Sequence, residues 1–492
     1  MRHLRVYALV LVLLAAGLPV RAADHPLIDA VTAHDTEAVQ ALLKQQVDVN
    51  ARQPDGATAL HWAAYRNALD LAGLLVDAGA DVDAANDYGV TPLSLACDNG
   101  AADMVSFLLE AGADPNAGRS TGETPLLTCA RTGDLDAVNA LLAHGADSGA
   151  AESWHDQTAL MWAAGEGHAE IARALVDHGT DIHARSKGGF TALLIAARAD
   201  DRELAALLLD AGADVNDTAP DGTTPLLVAT IRGHTALAIF LLERSADPNA
   251  NGTGYTPLHW AAGSWHTELT GSLRGIDTNR DVEWRSLNEI RTGKLDLIEA
   301  LLAGGADPHA RLTKTPPQFG FASGRFRVSL AGATPFLLAA MDANVEVMHA
   351  LVAVGADPLL GTDEDTTPLM VAAGLGQVPA ETRVTASQAF AAVQYVLERG
   401  ADVNATNDRG RTALHGAAHI RSDAIVQLLV DHGSRLNVGD ERGITPLMIA
   451  EGGGHILLPG LGGGSTADLL RVLGSADTAL DTVEIYKKGA IR

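Results

Sequence analysis

Apolar residues recur along this chain at helical spacing, and the same spacing returns at regular intervals. Leu71, Leu74 and Leu75 form one short stripe, and Leu204 and Leu208 belong to another. Positions three and four residues apart lie on one face of a helix, so each stripe predicts an amphipathic helix. A helix pair this short cannot bury its own stripe. Neighbouring copies are therefore expected to stack and to share one continuous core.

Threonine followed by proline or alanine, and then by leucine or phenylalanine, marks the start of one helix in nearly every copy. The threonine hydroxyl can accept an orphan backbone N–H, and proline at the next position has no donor to lose. Up to Thr256 the successive intervals are 33, 33, 34, 33, 33 and 32 residues. The threonines are Thr58, Thr91, Thr124, Thr158, Thr191, Thr224, Thr256, Thr334, Thr367, Thr412 and Thr445.

Glycine marks the end of the second helix in most copies. A helix often ends at a residue with left-handed backbone dihedrals, which glycine adopts without steric cost. A further glycine stands in the turn that follows, as at Gly56 and Gly222, where we expect a hairpin-like finger before the next threonine. The glycines expected at the ends of second helices are Gly79, Gly112, Gly145, Gly179, Gly212, Gly305, Gly355, Gly400 and Gly433.

A 33-residue period with Thr-Pro-Leu-His at the start of a helix and Gly-Ala-Asp after its partner resembles the ankyrin repeat. His61, His259 and His415 complete the tetrapeptide, and the resemblance covers residues 26 to about 477. It implies an all-α ankyrin-repeat solenoid of about twelve helix-turn-helix units with finger-like β-turn loops. The whole pattern is similar to exported bacterial ankyrin-repeat proteins.

Departures from the strict period define the expected domain organisation. The interval from Thr256 to Thr334 is 78 residues, and that from Thr367 to Thr412 is 45. Insertions in a solenoid map to loops on one face, so we expect an elaborated surface in the C-terminal half. The expected segments are a signal peptide in 1–22, an N-terminal capping repeat in 23–52, six regular ankyrin repeats in 53–250, an expanded repeat with two insertions in 251–328, further ankyrin repeats with insertions and a C-terminal cap in 329–477, and a tail in 478–492.

The first residues predict export from the cytoplasm. Arginines precede an apolar run from Val6 to Leu18, and Val20 and Ala22 are small residues where a signal peptidase cleaves. A run of 13 residues is shorter than the roughly 20 that span a bilayer. We therefore expect cleavage after Ala22, a periplasmic or secreted protein, and no membrane insertion after signal cleavage.

The charge balance argues against nucleic acid as a partner. The chain has 61 acidic and 35 basic residues, a formal net charge of −26. A protein that binds phosphates needs a basic face, which an acidic chain offers only if its few cations are concentrated on one surface. The aromatic fraction of 4% and the 50 glycines suit closely packed helices punctuated by turns. The expected partner is a protein.

Two cysteines and three tryptophans are expected in the core. Cys97 and Cys129 occupy small buried positions of adjacent first helices, six and five residues after their threonines. A disulfide needs Cα atoms within about 7 Å, and the offset favours two buried free thiols over a bridge, which an oxidising compartment would still allow. Trp62, Trp162 and Trp260 each lie four residues after a threonine, which is a regular packing position.

Metal and catalytic chemistry have little support in the sequence. Asp277, Asn279 and Asp281 alternate like the oxygen ligands of a calcium loop, but Val282 and Asn288 stand where that loop needs glycine and a bidentate glutamate. A solvated helix-capping loop is therefore favoured over a calcium site. Half of the 18 histidines fall on repeat positions, where hydrogen bonding and capping explain them. We expect no cofactor, no catalytic residue and no enzyme.

Aromatic and arginine residues at two places in the repeat are the candidate partner-binding residues. In ankyrin proteins the finger tips and the inner ends of the first helices line the concave face that binds partners, and aromatic and arginine side chains are the usual interface anchors. The alternative is that such residues scatter singly over any surface. The candidates are Tyr88, Trp154, Phe190 and Tyr255 at finger tips, and Tyr65, Arg66, Arg131, Arg198 and Arg232 at first-helix ends.

The sequence favours a non-catalytic scaffold for protein–protein interaction in an exported compartment. The concave face and the C-terminal insertions are expected to hold the partner. Two alternatives come from other classes: a secreted effector that acts on host proteins, and an enzyme or metal-binding module built on the insertions. Fold alone does not decide among them.

Overall fold

The computed structural model describes residues 25–263, 293–314, 328–377, 384–452 and 464–474. Within these ranges the chain forms 24 helices in consecutive pairs, and the isolated bridge between Ala151 and Thr158 is the extended pairing found there. The expected all-α repeat fold of about twelve units is confirmed. The chain divides into two compact units, Met1–Lys187 and Gly188–Arg492.

The first unit contains the regular N-terminal repeats. First helices α3, α5, α7 and α9 pack side by side in one layer, and second helices α4, α6, α8 and α10 form the other. The apolar stripes of both layers meet between them and make the core. The helices are α1 (Pro26–Thr32), α2 (Thr36–Lys44), α3 (Ala59–Tyr65), α4 (Leu69–Asp77), α5 (Pro92–Asp98), α6 (Ala102–Glu110), α7 (Pro125–Thr132), α8 (Leu135–Ala143), α9 (Ala159–Glu166) and α10 (Ala169–Asp177).

The second unit repeats the same two layers. First helices from α11 to α23 pack on their neighbours, and second helices from α14 to α24 do likewise. The helices are α11 (Ala192–Ala199), α12 (Arg202–Asp210), α13 (Pro225–Arg232), α14 (Thr235–Glu243), α15 (Pro257–Ala262), α16 (Lys294–Ala303), α17 (Pro335–Met341), α18 (Val345–Ala353), α19 (Pro368–Ala372), α20 (Ala386–Leu397), α21 (Ala413–His419), α22 (Asp423–Asp431), α23 (Pro446–Ala450) and α24 (Ser465–Val472).

Threonine and glycine bound the helices as the sequence predicts. Thr91 Oγ1 accepts a hydrogen bond from the backbone N–H of Ser94 at 3.2 Å, and Thr224 Oγ1 accepts one from Leu227 at 3.1 Å. The nine glycines predicted at second-helix ends all have positive φ, from +85° to +104°. At the finger tip, a Cβ on Gly222 would lie 2.5 Å from the carbonyl carbon of Gly252, so this close approach also requires glycine.

Three histidines complete the helix caps and link each repeat to the next. Nδ1 of His61, His259 and His415 accepts the backbone N–H of the capping threonine at 3.1, 3.2 and 3.0 Å. Nε2 then donates to a carbonyl of the following finger, at 2.9 Å for His61 and Val90. Burial lowers the pKa of His259 and His415 to about 4 each. The structural explanation of these histidines is confirmed.

Asparagine side chains tie neighbouring repeats together on the second-helix side. Asn116 Oδ1 accepts the backbone N–H of Asp147 at 2.7 Å, and its Nδ2 donates to the Gly145 carbonyl at 3.2 Å. Asn249 makes the same two bonds to residues 307 and 305. The helices α15 and α16 therefore occupy one place in the stack, although residues 264–292 separate them in sequence. The predicted signal peptide, most of the inserted residues and the tail lie outside the described residues, and the domain boundaries stay predictions.

The expectation of two free thiols is wrong. Cys97 in α5 and Cys129 in α7 form a disulfide, with their Cα atoms 4.8 Å apart. Both residues are fully buried. The one-residue offset that argued against a bridge turns the two side chains toward each other, because one residue is about 100° of helix rotation and the two helices lie side by side. Alanines beside the cysteines, Ala96 and Ala130, leave the helices room to approach this closely.

Candidate protein-binding surface

A network of four charged side chains lies at the inner ends of α5 and α7. Arg131 Nη2 lies 3.3 Å from Glu123 Oε1 and 3.5 Å from Asp98 Oδ1. Arg119 bridges to Asp98, and its Nη1 lies 3.4 Å from Glu123 Oε2. Thr128 Oγ1 adds a hydrogen bond to Glu123 at 3.3 Å. Two guanidinium groups and two carboxylates therefore neutralise one another, and Arg131, a predicted partner-binding residue, is held within this network.

Aromatic rings flank the network on both sides. The Arg131 guanidinium lies 5.8 Å from the centre of the Trp162 ring, within range of a cation–π contact. On the other side, Trp62 and Tyr65 meet edge to face with ring centres 6.0 Å apart, and Trp62 Nε1 donates to Gln53 Oε1 at 2.9 Å. Trp62 and Trp162 are half-buried, so only Trp260 of the three tryptophans lies in the core as predicted.

Backbone hydrogen bonds join the finger tips of the first unit into one row. Each bond runs from an N–H of one finger to a carbonyl of the preceding finger, which fixes the fingers relative to one another. We call these tips, residues 55–56, 87–88, 120–121, 153–156 and 187, the finger row. The bonds are Asp87 N to Asp55 O at 2.9 Å, Ser120 N to Tyr88 O at 3.4 Å, Ser153 N to Thr121 O at 2.9 Å and Lys187 N to His155 O at 2.7 Å.

The finger that carries Trp154 is held by a buried carboxylate of its own, that of Glu152. This finger is one residue longer than its neighbours, which produces the 34-residue interval before Thr158. Glu152 is buried, and its carboxylate accepts the backbone N–H groups of Trp154 at 2.6 Å, His155 at 2.9 Å and Gln157 at 3.2 Å. A buried carboxylate with three donors holds its loop in one conformation. The indole of Trp154 is 72% exposed on that loop.

Four of the five predicted residues in the first unit lie at the surface. Tyr88 is 67% exposed in the finger row, and Tyr65 is 54% exposed at the end of α3. Arg66 follows Tyr65 and is exposed, whereas Arg131 is half-buried in the ion-pair network. The structure thus brings Tyr65 and Arg131 to the inner ends of the first helices, and Tyr88 and Trp154 to the finger row. Their binding role stays a prediction.

The predicted residues of the second unit are less accessible. Phe190, Arg198 and Arg232 are half-buried, and the carbonyl of Arg198 accepts a hydrogen bond from His234 Nε2 at 3.2 Å. The expectation that Tyr255 is solvent-accessible is wrong, because this residue is only 5% exposed. Its ring lies 5.9 Å from the ring of Trp260, and burial raises its pKa to about 12.

The position of Tyr255 in the repeat explains why it is buried. It stands directly before the capping threonine, where a side chain packs inward over the first turn of the helix. Tyr88 and Trp154 lie three and four residues before their threonines and point to solvent instead. The other buried residues directly before a capping threonine are Ala57, Thr223, Ala333, Thr366, Arg411 and Ile444.

Sequence reasoning missed the charged residues at that inward position. Glu123 joins the surface network described above, and Arg411 lies buried against Asp440 of the next finger, with Nε 3.5 Å from Oδ2. Asp440 Oδ1 also accepts the backbone N–H groups of Arg442 and Ile444. One signal was available in the sequence. Most repeats place a small or apolar residue directly before the threonine, and these two place a charged one there.

The calcium prediction falls on residues outside those described. Asp277, Asn279 and Asp281 all lie in 264–292. Among the residues that the structure describes, no group of three or more His, Cys, Asp or Glu side chains is placed to hold a metal ion. In the same part of the chain, none of the helices combines the length and the apolar character that a bilayer span requires.

Comparison with known proteins identifies the repeat. The family model described as ankyrin repeats (3 copies) matches residues 27–119, 85–152, 126–219, 193–281 and 384–458, which together exceed half of the chain. Human Rabankyrin-5 is 48% identical over 59 residues, 12% of this chain and 5% of that protein.

Two further relatives match over similarly short stretches. Human Ankyrin repeat domain-containing protein 63 is 38% identical over 93 residues, 19% of this chain and 22% of that protein. Mouse Protein fem-1 homolog A-like is 45% identical over 62 residues, 13% of this chain and 9% of that protein. The chain thus spans less than a quarter of the length of each of these three relatives, and the likeness is one of repeats.

Proposed function

We propose, because the chain belongs to the ankyrin-repeat family, that it is a non-catalytic scaffold which binds a partner protein in an exported compartment. Ankyrin repeats form protein-interaction scaffolds, so the coarse function follows from the family. The partner surface is the finer proposal. We assign it to the first unit, where the finger row and the inner ends of α3, α5, α7 and α9 lie.

The exposure of Trp154 on a fixed loop is the observation that carries this proposal. An indole that is 72% exposed gains much from burial, and aromatic side chains dominate the energetics of protein interfaces. The Glu152 carboxylate orders the loop before any partner arrives, so binding does not have to order it. Tyr88 is exposed two fingers earlier in the row, and Tyr65 is exposed at the end of α3. A partner that covered all three would bury aromatic surface at three places along the first unit.

Two observations support the exported compartment. The apolar run from Val6 to Leu18 has the length and flanks of a signal peptide. The Cys97–Cys129 disulfide suits an oxidising compartment, since reducing conditions in the cytosol disfavour such bonds. The intact mass of the protein recovered from its producing cell tests the predicted export. Loss of residues 1–22 is expected, and an uncleaved N-terminus would contradict export.

Capture of partners on the immobilised mature protein tests the binding surface. We compare the parent with a Tyr65→Ala, Tyr88→Ala, Trp154→Ala variant, using periplasmic or secreted extract. The matched control is Val354→Ala, Leu359→Ala, which removes exposed apolar side chains from the second unit. Because all five side chains are exposed, each substitution should change the free energy of unfolding by less than about 0.5 kcal/mol.

The proposal expects the parent and the control to retain the same proteins and the triple variant to lose them. Equal recovery by the triple variant would remove the first-unit surface from consideration. The enzyme or metal-binding alternative depends on the insertions, most of whose residues lie outside those described.

A further inference from the structure

We infer that the finger row of the first unit accepts a cationic, extended segment of the partner protein, with Trp154 and Tyr88 as its aromatic contacts. This inference rests on the proposed function and adds the chemistry of the bound segment. It follows from three features of the row. Its aromatic ring faces are exposed, its first two tips carry exposed carboxylates, and its cations already bind other groups of the protein.

The aromatic residues of the row present ring faces to solvent. Trp154 is 72% and Tyr88 is 67% exposed, and within the described ranges neither ring pairs with another ring. Tryptophan and tyrosine faces attract lysine and arginine cations, by about 0.5–1 kcal/mol at exposed sites and about 2 kcal/mol or more once desolvated. The finger that carries Trp154 is held by the buried Glu152, so the indole is already placed for such a contact.

Two carboxylates stand beside the Tyr88 ring. Asp87 precedes Tyr88 directly, and the Asp87 backbone N–H is bound to the carbonyl of Asp55, so the two residues lie on adjacent tips. Both side chains are exposed. The Asp55 carboxylate accepts one backbone N–H, from Ala57 at 3.1 Å, and keeps the rest of its oxygen surface open. Two carboxylates beside an exposed tyrosine favour a cationic occupant.

Three cations of the fingers are already engaged within the protein, and the first of them, Arg52, donates to the carbonyl of Ala85 at 3.0 Å. Arg119, in the third finger, bridges to Asp98 and Glu123. The Lys187 ammonium group lies 3.7 Å from Asp156 and donates to the carbonyl of Ser153. An anionic segment would have to compete with these contacts, whereas a cationic one meets open carboxylates and ring faces. The net charge of −26 attracts the same kind of partner at longer range.

Equilibrium binding of two designed peptides to the full mature protein tests the assignment. The probes are a fluorescein-labelled decapeptide of alternating arginine and glycine, and its glutamate counterpart, measured by anisotropy. We expect the arginine peptide to bind and the glutamate peptide not to bind. Trp154→Ala should weaken binding about fivefold to tenfold. Raising the ionic strength should weaken binding as well.

Two pairs of Asp→Asn substitutions distinguish binding at the finger row from non-specific attraction of a cationic peptide to an acidic protein. Asp55→Asn with Asp87→Asn should weaken binding, because the row loses two charges while asparagine keeps the acceptor at residue 55. Asp357→Asn with Asp402→Asn removes two exposed charges from the second unit and keeps the acceptors used by Leu359 and Asn404. That pair should bind like the parent.

Three results would overturn the inference: equal binding of the two peptides, parent-like binding by Trp154→Ala, or equal losses from both pairs of charge removals. Partner capture distinguishes this failure from failure of the proposed function. Suppose that the parent retains a partner which the triple aromatic variant loses, but the arginine peptide does not bind. Then only the cationic character of the bound segment is contradicted. If the triple variant retains every partner, the proposed binding surface is contradicted as well.

Discussion

The charged residue directly before a capping threonine is exposed to different degrees in the two units of this protein. In the first unit Glu123 occupies this position and meets Arg119 and Arg131 at a surface, with 24% of its side chain exposed. In the second unit Arg411 occupies it, and 1% of its side chain is exposed beside Asp440. One place in the repeat can therefore carry charge at the surface, as Glu123 does beside Arg119 and Arg131, or bury it, as Arg411 does against Asp440 of the next finger.

The aromatic residues of the fingers show the same contrast. The first unit exposes Tyr88 and Trp154, whereas the second buries Tyr255 against Trp260. A difference of two or three positions within the finger separates these outcomes, because Tyr255 stands at the inward position directly before the threonine and Tyr88 and Trp154 do not. Finger residues are therefore interpretable as surface residues only when their distance from the threonine is known.

The largest effect should come from breaking the buried ion pair. Arg411→Leu leaves Asp440 charged, buried and without its guanidinium, which should cost about 3–5 kcal/mol of stability in the second unit. Glu123→Gln is the control in the first unit, where partial exposure limits the loss to less than about 1 kcal/mol. Urea unfolding with hydrogen exchange read separately for each unit measures both. Similar losses from the two substitutions would erase the contrast between buried and surface charge.

Removing the disulfide should destabilise the first unit and leave the second unchanged. Cys97 and Cys129 are 32 residues apart in sequence, and disulfides that close loops of this size contribute about 2–4 kcal/mol. Cys97→Ala with Cys129→Ala should therefore lower the urea midpoint of the first unit alone. Both thiols of the parent should resist alkylation under denaturing conditions until a reductant is added. Immediate alkylation of both would show that the bridge is absent.

Acidification should weaken the second unit more than the first. His259 and His415 have pKa values lowered from 6.5 to about 4 by burial, so both stay neutral in the folded state while the unfolded chain takes up protons. Their contribution is complete above about pH 6.5 and falls as the pH drops toward 4, by up to about 3 kcal/mol each. The first unit has one similar ring, His61, whose pKa burial also lowers.

Hydrogen exchange between about pH 7 and pH 5 measures this difference, because unpaired carboxylates remain largely ionised there. His415→Gln serves as the matched variant, since an amide can retain a hydrogen bond but takes up no proton. The slope of stability against pH in the second unit should decrease in this variant. A second unit whose stability did not change over this range would contradict the burial of neutral histidines.

The repeat could be predicted from local chemistry, whereas the details of the candidate surface could not. Thr91 and Gly79 act within their own segments, so their roles follow from neighbouring residues. Asp98, Arg119 and Arg131 come from three segments of the chain and meet only through packing. The exposure of Trp154 agrees with its finger position, but the carboxylate of Glu152 that holds the finger was not expected from sequence.

Sequence alone determined where the helices begin and end, how many copies stack and which faces are apolar, because each of these depends on residues within a few turns of one another. Tertiary structure decided that Cys97 bonds to Cys129, that Tyr255 is buried and that Arg131 is held by carboxylates. Those outcomes depend on the lateral register between adjacent repeats. A shift of one residue rotates a helical side chain by about 100°, and only the packed neighbours determine what it then meets.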